Sequence, residues 1–426
     1  MKKPRTTAEA LKHKKYKAPN GALYRVLMWV TAILNKKVNA NFTYKARPAD
    51  EKGPIVMIAN HASRVDFQFT APACYPKKLN YVVGYNEFFR FPVSLMLRLC
   101  NVIPKKNFTP DMTAILGILR VNKAGGNICF MPEGMSSITG MGQPVIPGGG
   151  ELLKHLGCPV YYSKISGGYM TYTKHCLDER KGRVDVTVDR MFTAEELKEL
   201  TPTEIEDRMN RLLAHDDYMW NKEARVKFNG KGRMAKNLET LLYWCPKCGA
   251  TYRHVTEGNT MRCTACGNTV EIDEYYDIRA VGKDSFCPPL VTDWTIAERA
   301  IAAEEVQKPD FSVSDHVKIG FLPERGRLFG SATSKIRGDG TLTLNREGLH
   351  FLGKKDGEPF RFDIPSSALL SFGMCTDITR LYTFLNGEFI EFYFDSKQVL
   401  RWDHLAEELH RANGGKWQNT EYRHEP

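Results

Sequence analysis

The chain has 426 residues, 42% hydrophobic and 26% charged, ordinary globular proportions that exclude a disordered or fibrous protein and allow two to four domains. Its net charge of +11 is unevenly placed: residues 1–50 hold twelve Lys and Arg, beginning with Lys2, Lys3 and Arg5, against only Glu9 and Asp50. A basic start points to an anionic partner, either a membrane surface or nucleic acid. Of eleven cysteines, four form two CxxC pairs and seven stand singly, a usage that fits thiols in a reducing compartment and not a disulfide framework.

In chain order, Leu23 to Leu34 (LYRVLMWVTAIL) comes first. It is too short to span a bilayer, which takes about 20 apolar residues, and contains Arg25. It suits a helix lying in the membrane interface, with Leu27, Trp29, Val30, Ile33 and Leu34 at the acyl boundary. No small-residue cleavage site follows, so a signal peptide is not expected. Residues 50–190 then alternate short apolar runs with helical patterns. Strands are predicted at Pro54 to Ala59, Lys78 to Val83, Gly126 to Met131, Cys158 to Ile165 and Arg183 to Val188. Helices are predicted at Phe91 to Leu99, Asp111 to Asn122 and Gly150 to Leu156. Such alternation implies an α/β fold, a sheet flanked by helices, with its active site at the carboxyl ends of strands.

Thr193 with Glu196 fits a capping box, and Thr201–Pro202 starts another helix with Ile205, Met209, Leu212 and Leu213 on one face. A basic, Gly-containing linker covers 222–236. Residues 278–315 read as a connector. From about 317 the pattern changes to period two, with turns expected at Gly338–Asp339–Gly340, Asp356–Gly357 and Asn386–Gly387. Ser396 to Ala412 closes as an amphipathic helix. The expected organisation is therefore a basic arm and interfacial helix (1–45), an α/β domain (46–220), a linker and metal module (221–280), a connector (281–316), and an antiparallel β-barrel with a C-terminal helix (317–413).

The chemistry-bearing segments follow strands. After the first comes Asn60–His61–Ala62–Ser63–Arg64–Val65–Asp66. Five residues along one helix turn a side chain by about 500°, so His61 and Asp66 cannot share a helix face. They meet if His61 precedes the helix and Asp66 lies in its first turn, with Ser63 as N-cap. The carboxylate then fixes the imidazole tautomer, and the distal nitrogen can take a proton from an alcohol. Gly84 to Arg90 (GYNEFFR), Phe130 to Ser137 (FMPEGMSS) and Cys158–Pro159–Val160–Tyr161 are the further segments. Pro147 to Gly150 is not a P-loop, since no Gly-Lys-Ser/Thr follows; it reads as a loop bordering the site.

The order and spacing of these four blocks resemble the glycerolipid acyltransferase family, which includes the lysophosphatidic acid acyltransferases, over about residues 20–215. That family has an NHxxxxD block, an aromatic pair with Arg, an FPEG block and a late Pro-containing apolar block. The resemblance implies that His61 is the general base and Asp66 its orienting partner. It implies direct attack of an acceptor hydroxyl on a thioester, with no acyl-enzyme. Glu133 and Gly134 match the acceptor-binding block, Arg90 falls in the second block, and Lys105 and Lys106 stand where a basic residue helps hold phosphate. The implied donor is acyl-CoA or acyl carrier protein. The implied acceptor is a lysophospholipid, 1-acylglycerol-3-phosphate first, at the cytoplasmic face of the membrane. One departure counts: the third block usually continues Glu-Gly-Thr-Arg-Ser, whereas here Met135 and Ser136 follow Gly134. Ser136 cannot replace a bidentate guanidinium.

Cys245-x-x-Cys248 and Cys263-x-x-Cys266, each followed by glycine, can offer four thiolates to a structural zinc, leaving no open coordination position. The C-terminal pattern resembles pleckstrin-homology or GRAM-type modules. A rival reading is a non-catalytic adaptor, in which the zinc ribbon and basic linker bind nucleic acid or protein on a decayed acyltransferase fold.

Overall fold

A computed structural model describes residues 6–415; Lys2, Lys3 and Arg5 of the basic arm lie outside the described residues. Helix α1 (Thr7–Lys12) is opened by a Thr6/Glu9 capping box. Helix α2 (Gly21–Lys37) is opened by the Asn20 carboxamide, which accepts from the Ala22 and Leu23 amides. No helix among the described residues is long and apolar enough to cross a membrane. Helix α2 turns Tyr24, Thr31 and Asn35 inward and leaves Leu23, Val26, Trp29, Val30 and Ile33 exposed, Trp29 at 67%. Leu27, expected on the outer face, instead packs on the core, because it falls on the inward stripe set by Tyr24, Thr31 and Asn35 at helical spacing.

The α/β domain runs β1 (Ala40–Tyr44), β2 (Val56–Ala59), α3 (Phe67–Cys74), β3 (Leu79–Gly84), α4 (Val93–Leu99), β4 (Ile103–Lys105), α5 (Met112–Lys123), β5 (Asn127–Phe130), α6 (Gly149–Leu156), β6 (Val160–Ser166), α7 (Gly168–Thr171) and β7 (Val184–Phe192). Its sheet has the order β1-β7-β6-β2-β5-β3-β4. Strands β6, β2, β5, β3 and β4 are mutually parallel, and β7 is antiparallel to β6. The sheet is thus mixed and flanked by helices; its strands β1 and β4 are too short to carry a periodic signal. Central β2 is buried on both faces, as a parallel strand must be: Met57 and Ala59 enter one core, Val56 and Ile58 the other. The second core is closed by α8 (Ala194–Glu199) and α9 (Pro202–Leu213), each begun by a Thr/Glu capping box. The Gly148–Gly150 run lets α6 meet α9, since a Cβ on Gly150 would strike the Pro202 backbone. Helix α10 (Asp217–Ala224) leads out.

Strands β8 (His254–Glu257), β9 (Thr260–Cys263), β10 (Thr269–Ile272) and β11 (Ile278–Ala280) form an antiparallel sheet in the order β11-β10-β9-β8. It touches the α/β domain: the Tyr276 hydroxyl donates to Met170 O at 2.6 Å and accepts from Arg180 Nη1 at 2.8 Å. The expected connector contains a 16-residue helix, α11 (Val291–Val306). Its pattern is weak because Trp294 faces the ribbon, donating to Trp244 O, while Arg299 faces Glu407 and Glu408.

The C-terminal module comprises β12 (Ser312–Phe321), β13 (Lys335–Asn345), β14 (Gly348–Lys355), β15 (Glu358–Pro365), β16 (Gly373–Met374), β17 (Arg380–Leu385), β18 (Glu388–Phe394) and α12 (Val399–Ala412). The antiparallel order is β15-β14-β13-β12-β18-β17-β16. The expected barrel is not closed: β15 and β16 do not pair among the described residues, and the apolar face of α12 packs against the sheet core instead. Gly338–Asp339–Gly340 is not a turn but lies within β13. Gly338 and Gly340 sit against the β14 backbone where any Cβ would collide, a close-approach role that sequence alone confuses with a turn.

Candidate active site

Five parallel strands end on one edge of the sheet, so the segments after β2, β3, β4, β5 and β6 converge there. Asn60 fixes the end of β2: its carboxamide donates to Ile165 O at 2.9 Å and accepts from Ile165 N at 2.7 Å. His61 follows immediately, in the turn before α3. Its Nδ1 lies 2.8 Å from Asp66 Oδ2. Asp66 is the residue preceding α3, not a member of its first turn. Ser63 does not cap the helix; its amide and its hydroxyl, at 2.6 Å, both donate to the Asp66 carboxylate. Asp66 is buried and the His61 side chain is 24% exposed. With Nδ1–H given to the carboxylate, Nε2 carries the lone pair.

Glu133 follows β5 and is 1% exposed. Its Oε1 accepts from His61 N at 2.7 Å and its Oε2 from Gln143 N at 2.8 Å. Burial pushes its pKa up to about 7 against the pull of those two amides and of His61. The carboxylate is thus engaged by the backbone amides of His61 and Gln143. Ser137 N adds a bond to His61 O at 2.7 Å, so the third block grips His61 from both sides. Neither contact was foreseeable from spacing, because both run to backbone. Gly134 has φ +78, and a Cβ there would run into Ile146 Cδ1.

The three expected phosphate-binding cations reach the same edge, each with a partner inside the protein. Arg90 Nη1 donates to both Glu87 oxygens, at 3.0 and 2.9 Å. Lys105 Nζ bonds Lys106 O at 3.2 Å, and burial lowers its pKa. Lys106 Nζ sits 5.5 Å from the Tyr85 ring centre and 5.8 Å from that of Phe384. The C-terminal module thus borders the site. Asn107 Nδ2 donates to the Tyr382 hydroxyl at 3.2 Å, and Met374 N approaches Met135 Sδ at 3.3 Å. Where the third block lacks a cation, Lys174 places its Nζ 3.2 Å from Ser136 O; burial brings its pKa down to about 8.

The four thiols of Cys245, Cys248, Cys263 and Cys266 lie within 4.8 Å of one another. Cys245 and Cys266 sulfurs are 3.8 Å apart and those of Cys248 and Cys263 3.9 Å, the separation of about 3.8 Å that a tetrahedron of 2.3 Å metal–sulfur bonds requires. The two knuckles match: Gly249 N donates to Cys245 O and Gly267 N to Cys263 O, with Gly249 and Gly267 at φ +73 and +75. The donor set fits a metal ion, held without an open position.

A parallel-strand edge thus bears a carboxylate-held imidazole, gripped by a glutamate from the neighbouring strand, an arrangement that can accept a proton at the distal ring nitrogen. The family model described as Acyltransferase matches residues 39–163, from just before β1 into β6, so the segment that carries this site is acyltransferase-like. Among solved structures, the chain is similar to the 1-acyl-sn-glycerophosphate (LPA) acyltransferase PlsC from Thermotoga maritima, at 15% identity and TM-score 0.37 over 45% of this chain and 78% of that one. No curated protein matches the chain.

Proposed function

We propose that this protein is a glycerolipid O-acyltransferase. It moves a fatty acyl group from acyl-CoA or acyl carrier protein to a hydroxyl of a lysophospholipid, with 1-acylglycerol-3-phosphate as the first acceptor to test. The observation that carries the reading is the His61 Nδ1–Asp66 Oδ2 contact of 2.8 Å within the acyltransferase-like segment. His61 Nε2 takes the acceptor's hydroxyl proton as the oxygen attacks the thioester carbonyl. The tetrahedral intermediate then collapses, the carbon–sulfur bond breaks, and the imidazolium returns the proton to the thiolate leaving group. Asp66 holds the tautomer, and Ser63 and Glu133 hold Asp66 and His61. Arg90, Lys105 and Lys106 supply positive charge for the acceptor's headgroup. The four cysteines bind a structural zinc.

We place the protein peripherally on the membrane's inner, cytoplasmic face; the exposed apolar stripe of α2 supports the membrane contact itself, with Trp29 and Ile33 among the acyl chains. The test is transfer from labelled acyl-CoA to a panel of lysolipids in anionic vesicles. Wild type should transfer, and His61→Ala should lose about 10²–10⁴ of the rate, the usual contribution of a positioned base. Trp29→Glu should weaken sedimentation with the vesicles. Undiminished transfer by His61→Ala would overturn the assignment.

A further inference from the structure

A cavity of about 390 Å³ lies where three segments meet: the end of α2 at Lys37, the loop 176–181, and the linker 229–233. Its walls are tied together. Asn229 N donates to Lys181 O at 2.9 Å, and Asn39 Nδ2 to Gly182 O at 2.8 Å. The lining is unbalanced in charge, with Lys37, Arg180, Lys181, Lys231 and Arg233 against Asp178 and Glu179. Both acids are already neutralised from within: Lys37 pairs with Glu179 at 2.9 Å, and Lys236 and Arg233 with Asp178 at 2.8 and 3.5 Å. Arg180 is buried on Tyr276 and Met234 O. That leaves Lys181 and Lys231, both in the lining of this cavity, without an ion pair among the described residues.

Elsewhere in the linker the cations are spent. Lys222 and Arg225 pair with Asp277, and Lys227 with Glu274. The linker therefore does not present a solvated basic strip, as a long polyanion would need; its unspent charge is focused into a small concavity. The volume falls within the range of small-molecule sites. A concave, cationic, aromatic-free lining selects clustered phosphates. The cavity loop also reaches the catalytic turn: Arg64 Nη2, three residues past His61, donates to Leu177 O at 3.2 Å.

We infer that this cavity seats the phosphates of a nucleotide-type thioester carrier, of which coenzyme A is the example. The pantetheine arm then runs along the Leu177–Arg64 contact towards His61. The inference deepens the acyltransferase reading and rests on it for the direction of the arm, but not for phosphate binding itself.

The test is calorimetric titration of the full chain with coenzyme A, dephospho-coenzyme A, pantetheine and a short oligonucleotide, beside acyl-transfer kinetics. Wild type should bind coenzyme A most tightly and pantetheine least. Lys181→Ala/Lys231→Ala, which removes two exposed side chains without partners and so leaves the melting temperature unchanged, should weaken coenzyme A binding and raise KM for acyl-CoA by at least about tenfold. KM for the lysolipid should not move. Lys181→Arg/Lys231→Arg should restore binding. Equal binding of coenzyme A and pantetheine, or unchanged binding by the alanine variant, overturns the site even if transfer is intact. Tighter binding of the oligonucleotide overturns it in favour of a nucleic-acid surface. Phosphate-dependent binding without any transfer upholds the site and removes the acyltransferase reading.

Discussion

Glu133 shows how one buried carboxylate can hold a histidine by its backbone. Its two oxygens accept from the amides of His61 and Gln143, so it positions the peptide from which the imidazole projects. Its pKa of about 7 in the fold stands above the ordinary 4.5 because burial outweighs both hydrogen bonds. The folded chain thus binds this proton more tightly than the unfolded chain. That stabilisation is fully present below about pH 4.5, is lost as pH rises towards 7, and amounts to about 3 kcal/mol. Glu133→Gln turns an amide N–H towards one of the two donors and is less stable throughout, but has no such slope. Melting temperatures of wild type and variant between pH 4.5 and 8 should therefore converge as pH rises. Parallel curves would mean that the carboxylate ionises normally in the fold.

At the scale of elements, the parallel strands, the capped helices and the two CxxC knuckles were legible in the sequence, because each is written in a few adjacent residues. So was the pairing of His61 with Asp66, which needs only a strand end and a turn. What stayed hidden runs between distant segments. The close approach of β13 and β14 at Gly338 and Gly340 is one case, and the half-buried inner face of α2 at Leu27 another. The roles of Ser63 and Glu133 are decided by backbone amides that no motif names. Helix α11 escaped because it packs on two sides, its Trp294 on the ribbon and its Arg299 on α12. The ribbon's own prediction is direct. Its sheet is only four short strands, too small to hold a fold alone, so a metal held by the four cysteines would be coupled to folding. Purified protein should contain one zinc per chain, and Cys263→Ser should lose it. Hydrogen exchange should then rise over residues 241–280 and at Met170, which Tyr276 anchors, while the β2–β5 core stays protected. Protection unchanged after metal loss would show that packing on α11 suffices.

Across the whole molecule, the C-terminal sheet is part of the site's wall and not an appendage. Tyr382, Phe384 and Phe389 form a small apolar cluster that takes in Tyr85 of the second block. The Phe384 ring lies 6.3 Å from that of Tyr85, with Lys106 Nζ beside both. Lys174 joins Ser136 of the third block to the surroundings of Asp403 on α12. Under the proposed function, the hairpin's contact with Tyr85 and Lys106 lets the module bear on which headgroups are accepted. Phe384→Ala should cost ~3 kcal/mol, the lower end for a buried ring. Because the ring spans two domains, the loss should be shared. Hydrogen exchange should rise at residues 85–90 and 104–107 as well as at 380–390, and the preference among lysolipid headgroups should broaden. Exchange confined to 380–390 with an unchanged headgroup preference would mean that the hairpin only rests on the catalytic domain, and that Lys106 is held by Tyr85 alone.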